Sequence, residues 1–131
     1  MRISGDEATL RLRLRSGDTH YPSSVIPAGS LMAYMGDAGT LLRAQNEQDP
    51  GFLVRWEGAD FIVACFIGDF VEVRAQLVST GNRSWRVLST VHKLVGAANE
   101  IDEKAGVKTV FDPPLLVASG TYVGAVPRYR G

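Results

Sequence analysis

The sequence predicts an α+β domain in which an antiparallel sheet packs against one long helix. Three observations predict this class: an alternating strand near the start, a single long stretch with helical periodicity, and a run of strand-like segments after it. The 131 residues fit one domain, residues 1–131. Hydrophobic residues make up 45% of the chain and charged residues 21%, which is ordinary for a globular fold.

The first strand and the helix are predicted from their periodicities. Residues 8–15, ATLRLRLR, alternate so that leucines share one face and arginines the other. The helix is predicted from Pro27 to about Gln45, where apolar residues recur at i, i+4, i+7 and i+11. A proline suits the first helical turn, and Pro50 and Gly51 end the pattern. The predicted buried stripe consists of Leu31, Met35, Ala38 and Leu42.

Five segments after the helix are rich in β-branched and aromatic residues and predict strands. Short hairpin turns are predicted at Glu57–Gly58, Gly68–Asp69 and Gly81–Asn82. The last two segments are joined by a predicted long connection over residues 96–114. The segments are residues 51–57, 59–67, 70–80, 84–95 and 115–126.

Composition excludes several classes of function. Fourteen basic and fourteen acidic residues balance, so no net field draws the chain to nucleic acid or acidic membranes. Cys65 is the single cysteine, which excludes an internal disulfide, favours a reducing compartment and predicts a small buried hydrophobe. Two distant histidines and one cysteine give no metal-ligand spacing. With no signal-like or membrane-spanning apolar run, we expect a soluble, cytoplasmic protein.

Two glycines inside the predicted helix frame a carboxylate. Gly36 and Gly39 each cost about 1 kcal/mol relative to alanine, so we expect a close approach by a strand, a partner helix or a ligand. Asp37 lies about 120° from the centre of the apolar stripe at roughly 100° per residue. It is either a solvated helical carboxylate or a carboxylate at the edge of a subunit interface, directed at a ligand.

Residues 17–24, GDTHYPSS, place Asp18, His20 and Tyr21 between the first strand and the helix. In a structural interpretation, Asp18 caps backbone N–H groups and Tyr21 packs on the sheet. In a functional interpretation, His20 supplies a group that titrates near neutrality at the mouth of a pocket. Both interpretations stay open from the sequence alone.

Six short motifs occur in order along the chain: D-x-H-Y at 18–21, G-D at 36–37, G-D-F at 68–70, G-N-x-S at 81–84, P-P at 113–114 and A-S-G-T at 118–121. In this order and spacing, over about residues 9–125, the chain resembles the hotdog-fold 3-aminoacyl-CoA ammonia lyases, which are relatives of the acyl-CoA thioesterases. The resemblance implies a hotdog fold, a homodimer whose sheets join, often with further association, and active sites at the subunit interface.

The resemblance also implies a reaction: reversible elimination of ammonia from a short-chain 3-aminoacyl-CoA thioester to give the 2-enoyl-CoA. A carboxylate or a neutral imidazole can take the proton next to the carbonyl, and Asp37, His20, Tyr21 and Asp60 are the candidate catalytic residues. Asp60 stands where the family has a glutamate in Glu-Phe-x-x-Pro, although it is equally interpretable as a turn carboxylate. No cofactor is expected beyond the coenzyme A of the substrate.

Two binding regions complete the predicted site. The first helical turn, with Ala28 and Gly29, offers free N–H groups to an enolate oxygen. By resemblance, Asn82, Arg83 and Ser84 contact the coenzyme A phosphates or the pantetheine arm, although a solvated hairpin arginine is the simpler interpretation. Two alternatives remain open: a thioesterase in which Asp37 activates water or acts as nucleophile, and a subunit that binds acyl-CoA without turnover.

Overall fold

The computed structural model describes residues 6–97 and 108–126. In this part of the chain five strands form an antiparallel sheet in the order β1-β3-β4-β5-β2, and one long helix packs on one face of the sheet. The predicted α+β class is confirmed. The elements are β1 (Glu7–Arg13), α1 (Ala28–Gln45), β2 (Phe52–Phe61), β3 (Phe70–Thr80), β4 (Ser84–Ala97) and β5 (Lys108–Ala125), with a 3-10 turn at Ser16–Asp18.

Helix α1 packs against β1, β3 and β4, and the predicted stripe is the face that it buries. All four stripe residues are at most 3% exposed. The Ser89 hydroxyl, buried in β4, donates to the carbonyl of Met35 at 3.0 Å and ties the helix to the sheet. The helix starts directly after Pro27, whose carbonyl accepts the Ser30 N–H at 3.1 Å. Within the described residues, no helix is long and apolar enough to cross a membrane.

The predicted hairpin turn at Glu57–Gly58 is wrong, because β2 continues through both residues to Phe61. The register with β5 shifts between Trp56, opposite Tyr122, and Gly58, opposite Thr121. Glu57 is therefore the extra residue of a β-bulge, a role in which glycine neighbours are common. Its carboxylate accepts hydrogen bonds from the Arg86 guanidinium at 2.6 and 3.0 Å.

Two further boundaries differ from the sequence prediction. The predicted strand over 59–67 stops at Phe61, so Cys65 lies in a connection rather than a strand, although it is buried as predicted. Strand β5 begins at Lys108, so the predicted connection over 96–114 is shorter, and its residues 98–107 lie outside the described residues. Residues 111–114 bulge out between the pairs Val95–Val110 and Lys93–Leu115, which accommodates prolines that lack an N–H for the ladder.

The outer face of the sheet, away from the helix, is charged. Glu72 is buried there beneath two arginines: Arg11 Nε donates to Oε2 at 2.9 Å, and Arg74 Nε donates to Oε1 at 2.7 Å. Burial acts to raise the pKa of Glu72, but the hydrogen bonds and charges of Arg74 and Arg11 outweigh it and hold the pKa below its usual value. These ion pairs belong to the scaffold.

Candidate active site

A cavity of about 550 Å³, here called the Asp37 cavity, lies between one face of α1 and the first half of β2. The helix contributes Asp37 and Gly29 to its lining. The aromatic rings of Trp56, Trp85 and Tyr122 line it on the side of the sheet. It therefore combines an ionisable group with an apolar wall, which is the usual composition of a small-molecule site.

The two helical glycines serve this region in different ways. A Cβ atom at Gly39 would overlap the hydroxyl and ring of Tyr122, so only glycine allows this ring to approach the helix. A Cβ atom added at Gly36 would have Leu53 Cδ1 as its nearest neighbour, at 3.8 Å, which is an ordinary contact. Glycine is therefore not needed here to avoid a clash, and its lack of a side chain leaves space beside the helix. Of the close approaches expected from the sequence, the structure contains one by a strand residue, Tyr122.

Asp37 is exposed and borders the cavity with its carboxylate. Among the described residues, no lysine or arginine forms a salt bridge with it and no donor hydrogen-bonds it. A carboxylate in this setting is accessible both to solvent and to a ligand. Whether it is catalytic stays a prediction.

Gly29 lines the same cavity at its other end, whereas Ala28 is exposed and outside the lining. A built Cβ at Gly29 would meet nothing within 4 Å, so a ligand can approach the backbone there. Eight residues separate Gly29 from Asp37, or about 12 Å at a rise of roughly 1.5 Å per residue. The helix start and Asp37 of one chain therefore cannot contact the same small group.

The 17–24 turn is fixed to the helix through Asp18. Its carboxylate accepts the Arg15 N–H at 2.7 Å and a hydrogen bond from the Tyr34 hydroxyl, and its carbonyl accepts one from the Ser30 hydroxyl. Burial, followed by the hydrogen bond and charge of Asp18, raises the pKa of Tyr34 to about 12. The capping role that the sequence suggested for Asp18 is present.

His20 and Tyr21 project from this turn and are exposed. Their ring centroids are 4.6 Å apart, and Tyr21, at 44% exposure, does not pack on the sheet. Neither residue lines the Asp37 cavity of its own chain. The structure thus does not bring the His-Tyr pair together with Asp37 within one protomer.

Asp60 lies on the opposite side of the sheet from the helix. It pairs with Ser119, whose neighbours Ala118 and Gly120 are buried, and directly paired residues in a ladder project to the same face. On the helix side of the sheet, Trp56 pairs with Tyr122. Along β5, Tyr122 and Ser119 are three residues apart and therefore face opposite sides. Along β2, Trp56 and Asp60 are four residues apart but also face opposite sides, because the bulge at Glu57 shifts the alternation by one residue. Asp37 and Asp60 of one chain are therefore separated by the sheet.

A second cavity of about 730 Å³, here called the hairpin cavity, lies beside the β3–β4 turn. The structure brings Asn82, Arg83 and Ser84 together in its lining with Arg43. The Gly81 N–H donates to the carbonyl of Ser84 at 2.7 Å and closes the turn. Among the described residues, the Arg83 side chain has no hydrogen-bond or ion-pair partner, so its charge is available to an anion.

Trp85 lines both cavities and separates them. The Arg43 guanidinium stacks over its ring at 3.6 Å from the centroid and is fixed by hydrogen bonds to the carbonyl of Asp49 and to Gln48. Burial is the main influence on Arg43 and lowers its pKa, with Asp49 and Tyr122 acting in the opposite direction. One wall therefore connects an apolar, carboxylate-bearing cavity with a polar, cationic one.

Comparisons with known proteins match the fold of this chain. No protein-family model matches the chain. The structure of β-alanyl-CoA:ammonia lyase from Clostridium propionicum superposes with a TM-score of 0.85 at 20% identity, covering 96% of this chain and 88% of that one. A Staphylococcus aureus acyl-CoA hydrolase solved with butyryl coenzyme A gives 0.69 at 14% identity, covering 96% and 68%.

In sequence, 3-aminobutyryl-CoA ammonia lyase of Acetoanaerobium sticklandii is 27% identical over 119 residues, which are 89% of this chain and 93% of the relative. This chain has the hotdog fold and is similar in sequence to a 3-aminobutyryl-CoA ammonia lyase. The resemblance predicted from the six motifs is confirmed, as is the hotdog fold.

Sequence reasoning missed the aromatic wall of this hotdog domain. The sequence pattern marks Trp56, Trp85 and Tyr122 only as residues typical of strands, because alternation does not tell whether an inward-facing residue faces a core or a cavity. The signal that could have found Tyr122 was Gly39: a glycine in a helix interior implies that another group occupies the space of its side chain.

A buried ion pair holds the connection after β2. Lys93 Nζ lies 3.0 Å from Asp69 Oδ2 and donates to the Ala64 carbonyl at 2.9 Å, while Asp69 Oδ2 accepts the Phe66 N–H at 2.9 Å. Cys65 lies in the same connection, and burial raises its pKa to about 11, which disfavours a nucleophilic thiolate. The described residues contain no cluster of three or more side chains suited to a metal ion. These groups are structural.

Proposed function

We propose that this chain is a lyase that acts on short-chain 3-aminoacyl-CoA thioesters and reversibly eliminates ammonia to give the 2-enoyl-CoA. One observation carries the proposal. Asp37, a carboxylate without a cationic partner among the described residues, borders an aromatic-walled cavity in a chain that is similar to a 3-aminobutyryl-CoA ammonia lyase over 89% of its length.

In the proposed reaction, Asp37 takes the proton from the carbon next to the thioester carbonyl. The electrons of that C–H bond form the enolate and then the double bond, while the bond between carbon 3 and nitrogen breaks. The nitrogen, which is an ammonium group in the substrate, leaves with the bonding pair as ammonia. The proton on Asp37 then passes through solvent to the released ammonia and forms ammonium. A general base of this kind contributes roughly 10²–10⁴-fold to the rate.

The hairpin cavity is the proposed binding place for the anionic end of coenzyme A. Arg83 is unpaired among the described residues, Asn82 and Ser84 add hydrogen-bonding groups, and Arg43 lies beside them. The wall shared at Trp85 allows one extended ligand to occupy both cavities. No cofactor besides this coenzyme A portion of the substrate is proposed, and the proposed location is the cytoplasm.

We also propose a homodimer, or an assembly of dimers, joined along β2. This strand is a sheet edge. Large apolar side chains in it and directly after it are 38–60% exposed: Phe52, Leu53, Val54 and Phe61 within the strand, and the following Ile62. An exposed apolar edge is a hazard unless another strand covers it, and a second copy supplies one. A monodisperse monomer at micromolar concentration would contradict this arrangement.

In such a dimer, residues that lie apart in one chain belong to one site across the interface. We propose that His20, Tyr21 and the helix start at Ala28 and Gly29 serve the Asp37 cavity of the partner. Support comes from the separation of about 12 Å along the helix between Asp37 and Gly29, which prevents both from acting on one enolate within a chain.

The alternative function, a thioesterase, is favoured by the likeness to acyl-CoA hydrolases, with TM-scores of 0.69 for the Staphylococcus aureus enzyme and 0.69 for a zebrafish thioesterase. In that reaction Asp37 would activate water or attack the carbonyl itself. A subunit that binds acyl-CoA without turnover is the third possibility.

One assay separates the three. The purified protein is incubated with crotonyl-CoA, with and without ammonium, and both the enoyl absorbance and free thiol are followed. Ammonium-dependent loss of the enoyl signal without thiol release is the expected result. Thiol release without ammonium identifies a thioesterase, and binding without either change identifies a non-catalytic subunit; both results overturn the lyase.

A further inference from the structure

Tyr122 is a buried phenol whose hydroxyl is not used by the fold. The residue is 4% exposed and lines the Asp37 cavity. Among residues 6–97 and 108–126, no group hydrogen-bonds to this hydroxyl, and it is not a fully enclosed atom either. Since buried Tyr hydroxyls usually have a partner, the open position in the cavity is where a ligand would supply it.

The ring is held in one place by close packing. Trp56 meets it edge-on with ring centroids 5.2 Å apart, and the Cα atom of Gly39 lies directly against the hydroxyl end. On the ladder Tyr122 pairs with Val87 of β4 and Trp56 of β2. The hydroxyl is therefore preorganised, which is the property that makes a donor effective in stabilising developing charge.

Burial raises the pKa of Tyr122 to about 12, although the charge of Arg43 acts against this. The phenol consequently stays protonated at neutral pH and can act as a hydrogen-bond donor. It cannot act as a base under these conditions.

Tyr122 and Asp37 line the same cavity, so a ligand that occupies it can contact both groups, from two different sides of the helix. Along the helix axis, Gly39, which touches the hydroxyl, is about 3 Å from Asp37 and about 15 Å from Gly29, so Asp37 is the nearer of the two.

We propose that the Tyr122 hydroxyl donates a hydrogen bond to the thioester carbonyl oxygen of a ligand in the Asp37 cavity. This role rests on the proposed function, because it makes Tyr122 the donor for the enolate that Asp37 generates. The carbonyl gains negative charge as the C–H bond breaks, so the hydrogen bond strengthens toward the transition state and stabilises it.

The test is Tyr122→Phe, which keeps the ring against Gly39 and removes the hydroxyl. Thr121→Val is the matched control, because it removes a hydroxyl from the adjacent residue on the outer face of the same strand. We expect kcat for ammonia addition to crotonyl-CoA to fall about 10²-fold or more in Tyr122→Phe, with KM changed less than threefold and thermal stability close to wild type. Thr121→Val keeps wild-type kcat.

A second readout does not need turnover. Infrared difference spectra of bound crotonyl-CoA carrying a ¹³C carbonyl report hydrogen bonding to that oxygen. A lower carbonyl frequency is expected in the wild type and in Thr121→Val, and it should return toward the free value in Tyr122→Phe. An unchanged frequency together with unchanged kcat in Tyr122→Phe overturns the role of Tyr122. If the wild type shows no ammonium-dependent loss of enoyl absorbance but still shows the lower carbonyl frequency, the lyase function is overturned and the hydrogen bond from Tyr122 is retained.

Discussion

The two faces of α1 are built for different purposes. The face toward β1, β3 and β4 presents Leu31, Met35, Ala38 and Leu42, all at most 3% exposed. The face toward β2 presents glycines and a free carboxylate, and leaves a cavity of about 550 Å³. One helix thus packs closely against the sheet on one side and borders an open cavity on the other.

This difference explains why the helix tolerates unfavourable residues. Helical stability in proteins comes mainly from packing of an apolar face, so the buried stripe offsets the cost of Gly36 and Gly39. A glycine on the packed face would leave a void, whereas Gly36 on the cavity face provides room beside Leu53. The comparison predicts that matched substitutions on the two faces affect different properties.

The largest expected effect on stability is at Met35. It is completely buried, so Met35→Ala leaves a cavity and should lower the free energy of unfolding by about 2–5 kcal/mol. Met32→Ala makes the same chemical change on the cavity face, where Met32 is half-buried, and should cost less than about half as much. Denaturant unfolding of both variants measures this, and equal losses would contradict the two-face account.

The two glycines should respond with opposite signs to the same substitution. Gly39→Ala forces the Tyr122 ring to move and should destabilise the protein by about 1–3 kcal/mol. Gly36→Ala makes an ordinary contact with Leu53 and should stabilise it by up to about 1 kcal/mol, from helix propensity. Thermal unfolding of the two variants measures these changes. Destabilisation by both substitutions would contradict the prediction, because it would mean that Gly36 is also needed for packing.

The smallest expected effect is a loss of folding stability at alkaline pH. Burial, assisted at Tyr34 by Asp18, raises the pKa values of Tyr34 and Tyr122 to about 12, above their usual 10.0. The neutral phenols are thus favoured in the folded state, so their contribution is complete below pH 10 and is lost as pH rises from about 10 to 12. Tyr34→Phe should reduce this loss in unfolding experiments across that range. An identical pH dependence in wild type and variant would show that Tyr34 does not contribute.

Local sequence signals predicted the helix and its buried face well, because a long amphipathic period needs no tertiary information. They failed at Glu57–Gly58, where a bulge and a turn share the same residue preferences and only pairing with β5 distinguishes them. The same difference affects Asp60, because the continuous β2 pairs it with Ser119 and places it on the outer face.

The candidate site was predicted in pieces rather than as a whole. Asp37 and Gly29 line one cavity, and Asn82, Arg83 and Ser84 line another, whereas their roles in catalysis and in coenzyme A binding stay predictions. Tyr122 was not predicted as a cavity residue, because it lies 83 residues after Gly39 and meets it only through tertiary contact. His20 and Tyr21 stay predictions, because their contribution depends on a second chain.

The central claim is that the cavity face of α1 serves chemistry through Asp37, and Asp37→Asn tests it most directly. The substitution keeps the size of the side chain and removes its charge and basicity. Because Asp37 is exposed, the free energy of unfolding should stay within about 0.5 kcal/mol of wild type. Turnover of crotonyl-CoA with ammonium should fall about 10²-fold or more.

Asp60→Asn makes the same chemical change on the outer face of the sheet and completes the measurement. The two-face account predicts nearly wild-type turnover for this variant, measured beside Asp37→Asn under identical conditions. Nearly normal turnover in Asp37→Asn, with a large loss in Asp60→Asn, would contradict the account and move the base to the other side of the sheet.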